Sequence, residues 1–412
     1  MNSTLRGIAA GFIMFAASAY LLFAIPGLLV QAGVNQAAAF TMTVTTIGVG
    51  TLVMGLVARR AIVVGPSLTL IGFILAVPVG VFGLSFGQTL ASAALAGAVL
   101  LLLSLSGLRG KVMSGLPDEL KAGVTAGVGL LLVANGLERI GFLTSGGSPW
   151  SVGPLDEPRL WLSAAAVLLM LGLMVRGLRM AVLPVVILTL IAGLTLGFTN
   201  LVLTGHTFLA VPPSLEPLLL ILDFTVLTTV PGLMASGAIF LFLSFESGAV
   251  ITARRLSDDA GGGKAPVADS LIMTTAPLIG APGAVALPHS SAGWLLGGDE
   301  RIAAVVAAIL FGLCAFSLPV VGQLQDYATA PAVIVAGLVL CTGIREIDFS
   351  DPGAVSAAFV AVLLPPLTGS FAAGFAVSAV LLFAIRLLSL DLPKLTPGLI
   401  VTALAGGAYL AY

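Results

Sequence analysis

Charge is what this sequence has least of. Its 412 residues include 17 Lys and Arg and 18 Asp and Glu, or 8% of the chain, against about 25% in a soluble domain. So few ionic groups cannot cover a water-facing surface, which excludes an ordinary soluble globular protein. Cysteine and histidine are nearly missing, at two each. Cys314 and Cys341 sit in separate apolar stretches, with no C-x-x-C and no cysteine–histidine cluster. Neither a disulfide framework nor a zinc site is expected, and no cofactor. A net charge of −1 without a basic run leaves no reason to invoke nucleic acid. The polar interludes near 142–158 and 255–265 are too short to enclose a soluble core.

What the chain does have is hydrocarbon. Hydrophobic residues make up 58% and mean hydropathy is +1.16. Apolar runs of about 20 residues, long enough to cross roughly 30 Å of bilayer, recur from end to end. Membrane β-barrels need short alternating strands instead, so the expected fold class is an all-α polytopic membrane protein. Spans are placed at 7–30, 36–57, 62–83, 88–107, 120–142, 159–175 and 181–200. A second set follows at 231–253, 266–280, 283–298, 301–322, 329–347, 352–367 and 370–388. The stretch 395–411 is short for a span and is left unassigned. The first apolar run has no small-residue cleavage site and reads as a retained span rather than a signal peptide.

With 14 spans and a cytoplasmic N-terminus, 15 of the 17 Lys and Arg fall on the cytoplasmic side, leaving only Arg139 and Arg159 outside. That is the asymmetry of the positive-inside rule, and shifting the register by one span destroys it. The expected location is the cell (inner or plasma) membrane.

The second half echoes the first. The stretch Gly129–Phe142 resembles Gly337–Phe349, and the segment around Gly65-Pro66-Ser67 can be laid over Leu287-Pro288-His289. Seven spans per copy is odd, so the copies must enter the membrane in opposite orientations. A 7+7 inverted repeat of this kind is typical of secondary transporters, with the site at the repeat interface near the midplane. Chance likeness between apolar helices is the bland alternative.

Interrupted segments at matching places in two halves are the best pointer to such a site. Here they are segments 3 and 10. Each opens with β-tolerant residues, meets a proline (Pro66 or Pro288) and then turns helical. Proline lacks the donor N–H and pushes the preceding residue extended, so each predicts a short strand followed by a half-helix. The half-helix N-termini carry unpaired N–H groups and partial positive charge, and together would form a polar cradle. Two ordinary proline kinks are the competing reading.

Glu246 is an acid amid uncharged neighbours from Ile239 to Ala253. Carboxylates deep in a span are costly and usually mark a proton relay, ion path or substrate contact, although a structural carboxylate paired within the bundle is possible. Glu246 is therefore the candidate for proton coupling and substrate binding. His289 starts the second half-helix and is a candidate donor to substrate, a titrating group or a partner of Glu246; a structural histidine bonded to a carbonyl is the alternative. Ser67, Thr69, Ser247 and Ser290 supply neutral hydrogen-bonding groups nearby, each also able to serve only packing or capping. Asp269 is expected to cap a helix or pair with Arg254 or Arg255, and His206 to be solvated.

At these segments the chain resembles the nucleobase–cation symporter-2 (nucleobase–ascorbate transporter) superfamily, most nearly its AzgA-like guanine/hypoxanthine permease branch. The resemblance is carried by Ala328–Gly337, Ile347–Pro352, Leu364–Ser370, Ala37–Met42, Leu52–Leu56 and Gly123–Gly129. It implies 14 spans divided into a core domain (1–110 and 206–325) and a gate domain (111–205 and 326–412). It also implies proton-coupled uptake (Na+ being the other candidate ion), elevator-type movement and a homodimer. The branch's two substrate acids fall on Glu246 and, as a departure, on His289. Ile71 stands where the branch keeps asparagine. Replacing an acid by imidazole removes negative charge and can add a donor. The expected function is a permease for a purine-like nucleobase or related heterocycle; a carrier of another small organic anion is the alternative. No nucleophile–base pair suggests an enzyme.

Overall fold

A computed structural model describes residues 2–19, 21–144, 151–176, 182–198, 210–253, 263–294, 296–316 and 325–410. The N-terminal half contains α1 (Ser3–Ser18), α2 (Leu21–Leu29), α3 (Gln36–Val53), strand β1 (Val64–Gly65), α4 (Leu68–Ile74), α5 (Phe86–Leu105) and α6 (Leu108–Ser114). It continues with α7 (Asp118–Arg139), a hairpin of β2 (Leu143–Thr144) and β3 (Ser151–Val152), α8 (Pro158–Val175) and α9 (Val182–Thr195). The C-terminal half contains α10 (Val230–Ala253), α11 (Lys264–Thr275), β4 (Val285–Ala286) and a short turn of helix at Pro288–Ser290 that leads into α12 (Ser291–Trp294). Then come α13 (Glu300–Cys314), α14 (Asp326–Cys341), α15 (Pro352–Thr368), α16 (Phe371–Leu388) and α17 (Pro397–Leu410).

Helix starts follow local chemistry. Asn35 accepts from the Ala37 and Ala38 N–H groups at the head of α3, and Asp351 does the same for Gly353 and Ala354 at α15. Ser85 and Gln88 form a reciprocal capping box at α5. Each cap satisfies donors that the helix itself cannot. Among the described residues, six helical stretches are individually long and apolar enough to cross a bilayer, including Phe86–Leu105, Asp118–Arg139 and Val230–Gly248. Exposed apolar side chains such as Leu168 and Val175 on α8 fit a surface solvated by lipid rather than water. The chain is a polytopic helical membrane protein.

The expected continuous first span is divided into α1 and α2. The stretch 395–411, left unassigned from sequence, contains the 14-residue helix α17. It packs against α16, α10 and α6.

Segments 3 and 10 are broken as their prolines predict. β1 and β4 pair antiparallel, Val64 with Ala286 and Gly65 with Val285. If Pro66 is matched to Pro288, Val64 is paired with its own repeat counterpart, which places that pair on a two-fold axis. The same holds at α7 and α14, where Gly129 and its counterpart Gly337 touch. A Cβ on Gly129 would lie 2.6 Å from the Gly337 carbonyl oxygen, and one on Gly337 would lie 2.5 Å from that of Gly129.

α1 and α3 pack on α13, and α5 packs on α11 and α10; α7 packs on α14, α15 and α10, and α8 on α14 and α9.

Candidate functional site

The broken segments hold their place through backbone bonds. The Leu287 N–H donates to the Val63 carbonyl at 2.8 Å. The Ser290 hydroxyl accepts from the Val63 N–H at 2.8 Å and donates to the Leu287 carbonyl at 2.6 Å. Trp294 Nε1 donates to the Ala61 carbonyl at 2.6 Å. Ser290, expected to face substrate, thus joins the two breaks to each other.

Glu246 lies in the middle of α10 and is fully buried. The Ser67 hydroxyl donates to its Oε1. Ser67 is also the N-cap of α4, accepting from the Leu70 N–H at 3.0 Å. One side chain therefore ties the start of the first half-helix to the carboxylate. Because Ser67 follows the proline break directly, the bond depends on Pro66 ending the strand where it does. A carboxylate at a half-helix N-terminus is also favoured by the local dipole.

His289 is buried in the turn beside α12. Thr69 is a helical position of α4, but its side chain lies outside the described residues, as do His206, Arg254 and Arg255 altogether. Ser247, one residue beyond Glu246, turns to a different partner: it donates to Asp269 and accepts from Arg109 Nη2 at 3.1 Å.

That partner is a buried ion pair that the sequence did not disclose. Arg109 Nη2 lies 2.9 Å from Asp269 Oδ2, with both side chains almost wholly enclosed. Arg109 Nη1 also donates to the Ser270 hydroxyl at 2.6 Å and to the Pro266 carbonyl at 3.2 Å. Asp269 therefore pairs with Arg109; Arg254 and Arg255, the partners expected from sequence, lie outside the described residues. The physical reason is reach: Arg109 leaves the end of the α5–α6 corner against α11, where Ser104, Ser247 and Ser270 make a polar pocket for a guanidinium. The available signal was Asp269 itself, an acid within Ala265–Met273, but its partner lies 160 residues away.

An apolar cavity of about 260 Å³ opens between α5, α6, α10 and α17. Phe240, Phe245, Leu100 and Thr402 are on its wall, whereas Glu246, Ser67 and His289 are not. No group of three metal-ligating side chains occurs among the described residues.

With this geometry in hand, comparison with known proteins identifies the family. The Permease family profile matches residues 6–377. The adenine permease AdeP of Escherichia coli K12 is 28% identical over 412 residues, covering 96% of this chain and 90% of the relative. The guanine/hypoxanthine permease GhxP of Escherichia coli O157:H7 is 28% identical over 432 residues, covering 98% and 93%. Among solved structures, the murine Solute Carrier 26 family member A9 anion transporter, inward-facing, aligns with a TM-score of 0.54 at 13% identity, covering 94% of this chain and 68% of that one; the likeness is one of fold. The broken, paired segments and the buried carboxylate thus sit in a chain that belongs to the permease family of nucleobase–ascorbate transporters.

Proposed function

We propose that this protein is a proton-coupled permease for a purine-like nucleobase and that Glu246 is the carboxylate binding both the base and the coupled proton. The observation that carries this reading is the Ser67–Glu246 hydrogen bond at the junction of α10 and the first half-helix. A carboxylate there can accept from ring N–H or amino groups of a planar base. Carboxylates buried within a span commonly mark proton relays or substrate contacts. Relatives named for adenine and for guanine and hypoxanthine support the substrate class.

The movement in this reading is an elevator. Segments 1–4 and 8–11 form the core, and segments 5–7 and 12–14 form the gate. The packing of α1 and α3 on α13, of α5 on α10 and α11, and of α7 on α14 and α15 supports that division, with α10 against α7 as the contact across it. A second reading, transport of another small organic anion, draws on His289 standing where the resembled branch has an acid.

Uptake of labelled hypoxanthine, guanine and adenine into proteoliposomes, with and without an inward proton gradient, tests both. Gradient-stimulated uptake of at least one base should fall by ten-fold or more in Glu246→Gln. Uptake of organic anions that no base competes with would instead establish the second reading. Stimulation by a sodium gradient alone would remove the proton.

A further inference from the structure

We infer that Tyr409, on the C-terminal helix α17, is a specificity-determining residue of the Glu246 site; the inference rests on the reading of Glu246 given above. α17 lies beyond segment 14 and beyond the residues that the family profile matches. It is nevertheless folded into the molecule. The Thr396 hydroxyl donates to the Gly115 carbonyl, and Gly398 meets Gly115 and Val112 so closely that a Cβ on Gly398 would lie 2.5 Å from the Val112 carbonyl oxygen. At Gly406 the helix meets Ala376 of α16, whose carbonyl oxygen would lie 2.9 Å from an added Cβ. Small residues at both ends thus hold α17 close against α6 and α16.

This anchoring brings Tyr409 to the segment that carries Glu246. Its ring centroid is 5.7 Å from that of Phe245 and 6.4 Å from that of Phe242, both on α10. Phe242 in turn stacks at 4.4 Å on Phe73, one and a half turns after Ser67 on the first half-helix, and Phe245 meets Phe375 edge-on at 5.5 Å. Phe242 is one helical turn before Glu246 on α10, so the ring that Tyr409 meets shares a helix face with the carboxylate. Tyr409 is therefore an amphipathic ring packed on α10 beside the aromatic row. A planar heterocycle held by Glu246 would meet a ring that can pack against it and a hydroxyl that can donate to a carbonyl or accept from an amino group. These are the groups that differ between hypoxanthine and adenine.

Between these anchors α17 is less closely packed. On the α5 and α10 side it borders the apolar cavity, into which Thr402 brings a buried hydroxyl with no hydrogen-bond partner.

The test measures KM for hypoxanthine and adenine in proteoliposomes for the wild type, Tyr409→Phe, Tyr409→Ala, Leu404→Ala and Glu246→Gln. Leu404 is exposed on another face of α17 and reports on disturbance of the helix alone. Tyr409→Phe should change the hypoxanthine-to-adenine KM ratio by three-fold or more, because only the hydroxyl is lost. Tyr409→Ala should raise KM for both bases ten-fold or more, and Leu404→Ala should leave both within two-fold. Tyr409→Phe keeps the ring, so the test survives if Tyr409→Ala does not fold. Wild-type KM values and ratio in both Tyr409→Phe and Tyr409→Ala, with uptake lost in Glu246→Gln, overturn the role of Tyr409 and leave that of Glu246 standing. Unchanged KM values in Glu246→Gln, or no base transported by the wild type, overturn both.

Discussion

Arg109 and Asp269 show how much a single charged side chain can cost in this molecule. Moving either ion from water into a nearly closed site is expensive, and the pair persists because each charge has the other and a ring of serine hydroxyls. Removing one partner leaves the other charge buried alone, a loss of about 3–5 kcal/mol. Arg109→Met and Asp269→Asn should each lower the thermal midpoint of the detergent-purified protein sharply. The Arg109→Met/Asp269→Asn double variant should recover much of the loss. If the double variant is as unstable as the sum of the singles, the residues do not act as a pair. Glu246 differs in kind: its bond to Ser67 reaches across 179 residues to the start of a half-helix, so its environment is set where substrate would arrive.

Glycine decides how near the elements can approach. α7 and α14 meet backbone to backbone at Gly129 and Gly337, the close approach that small residues permit in membranes. Gly129→Ala places a methyl group within 2.6–2.8 Å of the Gly337 carbonyl, the Cys341 nitrogen and the Leu340 side chain. Overpacking of this kind costs about 1–3 kcal/mol, so Gly129→Ala should lower the melting midpoint. Gly172→Ala on α8, where an added Cβ meets no atom within 4 Å, should leave it unchanged. The strand–half-helix elements obey a different rule. Two strands of two residues each are too short to be stable alone, and they persist because Ser290 and Trp294 carry their bonding into the neighbouring turns.

For the whole molecule, an elevator requires one group of helices to move against the other while each stays rigid. Arg139 clasps Asp326 and Thr329, tying α7 to α14 within one group, whereas Phe245 on α10 meets Phe375 on α16 across the two. In a background lacking Cys314 and Cys341, Arg139→Cys/Asp326→Cys and Phe245→Cys/Phe375→Cys can each be bridged by a short bifunctional thiol reagent. Bridging the first pair should spare uptake, and bridging the second should arrest it reversibly. Uptake that continues with the second bridge in place would contradict a core moving against a gate.

Much of this organisation was legible in the sequence because it rests on local chemistry or on composition. Low charge and long apolar runs required a bilayer, since neither water nor a soluble core could satisfy them. The prolines at 66 and 288 fixed both interruptions, because a missing N–H and a restricted preceding residue act on the chain wherever it lies. Glu246 stood out by its isolation among uncharged neighbours. What only the tertiary structure decided were contacts between residues far apart in the chain. Three of the cations counted on one side of the membrane, Arg109, Lys121 and Arg386, are buried and paired with Asp269, Asp118 and Asp351. Ser247 and Ser290, alike in sequence to Ser67, were drawn respectively to an ion pair and to a backbone tie, while Ser67 met the carboxylate. A hydroxyl can bond to whatever the fold brings within 3 Å, and only packing determines which group that is.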